Sequence, residues 1–152
     1  MDFYLVRHGE AVSETIDPQR PLTRLGRQDV ERLARCAMTR NIRPAAILHS
    51  GILRARQTAE TMAEVLSPPA GIQAIAGLLP GDDTMVARGE IEAAERSLMI
   101  VGHLPHLSRL VALLTHRDAQ SESMVWTPAM MVCCSCDGGA WQTSWIIKPE
   151  SD

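Results

Sequence analysis

Two rhythms alternate along this chain. Solid apolar runs at residues 2–6, 45–48 and 98–101 are too brief for helices and read as buried strands. Longer stretches between them carry apolar residues at helical spacing. Thr23 is a good N-cap for a helix reaching about Arg40, with Val30, Leu33, Ala34, Ala37 and Met38 predicted on its core face. Pro44 breaks that pattern. A second helix is expected from near Ile52, with Ser50 as candidate cap. It carries the stripe Ala55, Thr58, Ala59, Met62, Ala63 and Leu66, and Pro68-Pro69 ends it. Residues 71–75 suit another strand and Pro80-Gly81 a turn. Asp82 or Thr84 would cap a helix to about Ala94, weakened by Gly89. Leu107, Leu110, Val111 and Leu114 mark a last amphipathic helix. Residues 129–136 and 140–147 then flank Asp137-Gly138-Gly139 as a β-hairpin. Residues 10–21, with two prolines and no period, read as a loop.

Strands alternating with helices predict an α/β fold, a three-layer α/β/α sandwich with a mainly parallel sheet and a C-terminal hairpin. With 152 residues the chain is expected to be one domain, 1–152. A net charge of −3 offers no basic surplus to displace the counterions of a nucleic acid. No basic leader precedes the first strand, and no apolar run approaches the roughly 18–20 residues that span a bilayer. A cytoplasmic protein without membrane or nucleic-acid partners is therefore expected. Of the four cysteines, three (Cys133, Cys134, Cys136) crowd one strand, whose direction would scatter them over both faces. Reduced thiols and no metal site are the expectation.

Chemistry enters at the strand ends. Ligands of open α/β sheets bind beyond the carboxyl ends of the strands. Arg7-His8-Gly9 follows the first strand, Arg54 lies in the first turn of the helix after the second, and His103 ends the run 98–101. Two guanidinium forks beside two imidazoles repel one another unless a dianion joins them, and phosphate matches those forks. Helix N-termini near Ile52 and His106 would add backbone N–H groups.

These residues also carry a resemblance. "LVRHGE", "RPLTRLG", "SGILRARQTAE" and "MIVGHLPHL" resemble, in order, the four motifs of the histidine phosphatase superfamily, the phosphoglycerate mutase-like fold. Their combination and the small size resemble most the SixA branch of phosphohistidine phosphatases. One departure is Gly51, where the family usually has proline.

By that resemblance the activity is cofactor-independent phosphatase chemistry. His8 is the nucleophile that becomes phosphohistidine, and Arg7, Arg54 and His103 clamp the phosphoryl oxygens. Gly9 would let its backbone approach the phosphate, and its carbonyl would fix the His8 tautomer. Arg20, Ser50 and His106 are expected near the pocket rim, with Ser50 chiefly a helix cap. His49 and His116 are read as structural or exposed, and Trp126 and Met130-Met131 as core packing. The stretch from Arg54 to His103 is committed to regular elements and leaves no lid. Of its carboxyls Asp82, Asp83 and Glu90, none stands in a motif for a general acid. Phosphohistidine needs less proton donation than an alkyl ester, so the resemblance implies removal of a phosphoryl group from a histidine phosphotransfer (HPt-type) protein. The alternatives are a phosphatase of small phosphomonoesters and a non-catalytic phosphate-binding module. A monomer is expected.

Overall fold

A computed structural model describes residues 1–115 and 124–149; His116 lies outside them. Six strands form one sheet: β1 Asp2–Arg7, β2 Ala46–His49, β3 Ile72–Ala74, β4 Leu98–Gly102, β5 Met131–Asp137 and β6 Ala140–Ile147. Their order is β3-β2-β4-β1-β5-β6. Pairs β2·β3, β2·β4 and β1·β4 are parallel, whereas β1·β5 and β5·β6 are antiparallel. The helices are α1 Arg24–Thr39, α2 Leu53–Leu66, α3 Thr84–Ala93 and α4 His106–Thr115.

Strand periodicity sorts the core into two layers. Tyr4, Val6, Ile47, Met99, Val101, Met131 and Cys133 pack beneath Val30, Leu33 and Ala34 of α1 and Ala55, Ala59 and Met62 of α2. Phe3, Leu5, Leu48, Ile100, Val132 and Cys134 face Ala87 and Ile91 of α3 and Leu107, Leu110 and Leu114 of α4. Because both faces are covered, the inner strands are continuously apolar. This is the three-layer sandwich the pattern predicts, and Cys133 and Cys134 do face opposite layers. Among the described residues no helix is long and apolar enough to cross a membrane.

Local chemistry explains the element ends, with three corrections. Thr23 caps α1 by accepting the Gly26 N–H at 2.9 Å, as expected. Met38, however, is 51% exposed. Two i+4 steps from Val30 rotate it roughly 80° off that residue, out of the stripe. The cap of α3 is Asp83, not Asp82 or Thr84; it accepts the Met85 N–H at 2.9 Å, while Asp82 accepts that of Leu79. Ser50 does not cap α2 either. The N-cap is Ile52, whose side chain can accept nothing, and Ser50 is released for other contacts. Gly138-Gly139, both at positive φ, make the hairpin turn.

Connections from β1 and β4 leave on opposite faces of the sheet, through α1 and α4. These adjacent parallel strands therefore open a crevice at their carboxyl ends.

Candidate active site

Arg7 pairs with Gly102 across β1 and β4, so the next residue of each strand tip, His8 and His103, emerges side by side. Their ring centroids are 5.1 Å apart. Strand β2 lies on the far side of β4 and leads into α2, whose first turn swings Arg54 inward. Arg54 Nε lies 3.4 Å from His8 Nε2.

His8 has a defined proton. Its Nδ1 lies 2.8 Å from the Gly9 carbonyl oxygen, which can only accept, so Nδ1 bears the hydrogen. Arg54 Nε–H, which can only donate, faces Nε2, so that nitrogen presents its lone pair. Burial lowers the His8 pKa to about 4; the Gly9 hydrogen bond opposes the shift, and Arg54, Arg7 and Arg20 add to it. The ring is neutral at pH 7. Burial likewise lowers His103 to about 3, helped by His8, Arg54, His106 and Arg7.

A frame of hydrogen bonds holds these groups. Arg7 donates from Nη1 to the Trp126 carbonyl at 2.7 Å, and its Nε has no partner among the described residues. Trp126, Met130 and Met131 are buried in the core, as expected. Gly9 N–H donates to Thr58 Oγ1 at 3.1 Å, and that hydroxyl donates to the Arg54 carbonyl at 2.8 Å. Thr58 thus ties the His8 loop to the helix carrying Arg54. Gln57 accepts the Leu22 N–H at 2.8 Å and ties the 10–22 loop to the same helix. The helical stripe shows Thr58 as a core position and assigns it no partner. The Gln57-Thr58 pair within the motif "SGILRARQTAE" was the available signal.

The remaining expected residues take varied places. Both polar groups of the Gly9 backbone are engaged within the protein, and a Cβ there would meet Val30 at 2.8 Å and the Gly26 carbonyl at 3.0 Å. The packing of α1 is by itself enough to require glycine there. Ser50 Oγ lies 2.6 Å from His103 Nε2 and accepts the Ile52 N–H at 3.3 Å, so it contacts a site residue instead of capping the helix. Gly51 has φ +88° and donates to His49 Nδ1 at 3.1 Å. Proline could do neither, so this departure from the family pattern comes with its own turn, and His49 is structural. His106 is fully buried and does not border the opening. Arg20 is half-buried and its charge reaches both His8 and Arg54. Asp82 and Asp83 are spent on local backbone N–H groups.

Comparison with known proteins bears on the family and the fold. Phosphohistidine phosphatase SixA of Escherichia coli (strain K12) is 26% identical over 154 residues, covering 98% of this chain and 94% of that protein. A protein histidine phosphatase SixA solved in complex with tungstate superposes with a TM-score of 0.85 at 25% identity, covering 98% of this chain and 97% of that one. A mycobacterial glucosyl-3-phosphoglycerate phosphatase shares the fold, with a TM-score of 0.77 at 17% identity and coverage of 94% and 96%. Residues 3–78 match the histidine phosphatase superfamily (branch 1). With its six-stranded sheet, its paired strand-tip histidines and that match, this chain belongs to the histidine phosphatase superfamily and is a phosphatase of that family.

Proposed function

We propose that the chain hydrolyses phosphohistidine on a phosphorelay protein of the histidine phosphotransfer type, through a phosphorylated His8. The carrying observation is the neutral His8 ring beside His103, its Nδ1–H bound to the Gly9 carbonyl and its Nε2 lone pair turned toward Arg54.

Nε2 attacks phosphorus in line with the substrate P–N bond. That bond's electron pair passes to the substrate imidazole, which leaves as a neutral ring when its second nitrogen bears a proton. Arg7, Arg54 and His103 hold the equatorial oxygens and offset charge in the transition state. The phosphorylated His8 ring is cationic, and the Gly9 carbonyl stabilises its Nδ1–H. Water then attacks phosphorus, the P–Nε2 bond breaks, and the pair returns to Nε2 as inorganic phosphate departs.

Two features support a protein-borne substrate. No carboxylate of the described residues makes a hydrogen bond or ion pair to His8, Arg54 or His103, which suits a leaving group that needs no strong acid. The relatives named SixA span nearly the whole chain. The test compares turnover of a phosphorylated HPt domain with para-nitrophenyl phosphate, together with trapping of radiolabelled phosphate. Preference for the protein and a label lost in His8→Ala are expected. If the small ester is turned over orders of magnitude faster, the protein-substrate reading fails.

A further inference from the structure

The loop between β1 and α1 holds a third arginine whose purpose the fold does not explain. Arg20 adopts φ +49°, a left-handed conformation that a residue with a Cβ seldom takes without cause. Its backbone N–H donates to the Asp17 carbonyl at 3.0 Å, and its neighbour Pro21 accepts the Val12 N–H at 2.8 Å. The side chain turns back along the loop, and Nε donates to the Val12 carbonyl at 3.0 Å.

That single bond aims the guanidinium without using it up. Of five N–H donors, the four on the two Nη atoms make no hydrogen bond within the described residues, where the ion pairs are Arg56–Glu60 and Arg88–Glu92. The tethers point to the site. Val12 lies four residues beyond His8, Leu22 is bound to Gln57, and Gln57 lies one turn beyond Arg54 on α2. The loop is therefore clamped between the two elements that present His8 and Arg54.

We propose that Arg20 donates through its free Nη groups to the substrate phosphoryl group, as a third guanidinium beside Arg7 and Arg54. Its field already reaches the site: it lowers the pKa of both His8 and Arg54. A cation half-buried beside other cations is held there at a cost, which an incoming dianion offsets. Carried by a short tethered loop, Arg20 gives the phosphoryl group a further guanidinium partner.

This inference rests on the phosphatase reading of the site, and the experiment separates the two. Tungstate inhibition of para-nitrophenyl phosphate turnover would be measured for wild type, Arg20→Gly, Arg20→Gln and Arg20→Lys, with phosphate trapping on His8 in wild type. Arg20→Gly suits the left-handed backbone and removes only the side chain, whereas Arg20→Gln retains part of the stem if the glycine variant folds poorly. About tenfold weaker inhibition or more is expected in both, with partial recovery in Arg20→Lys. The acid limb of kcat/KM should move up from about pH 4 in Arg20→Gly and Arg20→Gln and stay near it in Arg20→Lys, which a purely structural role would not produce. Tungstate inhibition within twofold of wild type overturns the proposal, even if turnover of the phosphoprotein falls. Absence of a trapped label in wild type instead overturns the His8 reading.

Discussion

At the residue scale the site is made by fixing protons rather than by adding acids. His8 is directed by one carbonyl and one guanidinium, each with a single possible role, so its nucleophilic nitrogen is defined before substrate arrives. Thr58 supports this from behind, accepting from Gly9 and donating to the Arg54 carbonyl. Thr58→Val keeps the shape and removes the acceptor, stranding the buried Gly9 N–H. A loss of about 1–3 kcal/mol in unfolding free energy is expected. It should accompany a fall in kcat, because His8 and Arg54 lose their shared brace. Urea unfolding and steady-state rates would measure both; wild-type values in each would remove Thr58 from the frame. The apolar stripe revealed this residue's depth but not its partners, since a helical pattern reports which face is buried and not what waits there.

Elements bring the motifs together by close approach. Gly26 lies in the first turn of α1, where a Cβ would stand 2.1 Å from the Glu10 carbonyl oxygen and 2.9 Å from its nitrogen. Backbone cannot step aside as a side-chain end does, so Gly26→Ala must push α1 away from the segment after His8-Gly9. An expected cost of about 1–3 kcal/mol for overpacking, with reduced activity, distinguishes it from Gly89→Ala. Gly89 lies in α3 with nothing near its missing Cβ, and alanine there should stabilise the helix by about 0.5–1 kcal/mol. Thermal unfolding of the two variants would show shifts of opposite sign; equal shifts would contradict the packing described. The helix ends illustrate how far local signals reach. Thr23 was legible as a cap because its oxygen and the Gly26 N–H belong to one turn, whereas Ser50 was drawn away from α2 by a histidine from another strand.

For the whole molecule, two neutral histidines buried at the carboxyl ends of the central strands make folding depend on pH. In the unfolded chain both titrate near 6.5; in the native state His8 falls to about 4 and His103 to about 3. Below pH 6.5 the unfolded state therefore binds protons that the native state refuses, and stability declines as pH falls from about 6.5 toward 4. The slope approaches about 1.4 kcal/mol per pH unit for each such proton. Urea midpoints should be lower at pH 5 than at pH 7, and His103→Gln should flatten the dependence. Midpoints that do not fall with pH would deny that these rings are held neutral.

Local pattern along the chain was enough for the strands, the helices, the Thr23 cap and the four residues worth watching, because apolar period and turn chemistry act over a few neighbouring positions. It also carried the family, since four motifs in order constrain more than any one of them. Only the tertiary structure shows which polar atoms meet: that Gly9 serves the packing of α1, that Ser50 meets His103, that Thr58 braces two elements and that Arg20 bends back to the Val12 carbonyl. Such contacts join residues distant along the chain, and their partners are chosen by how the strands are ordered in the sheet.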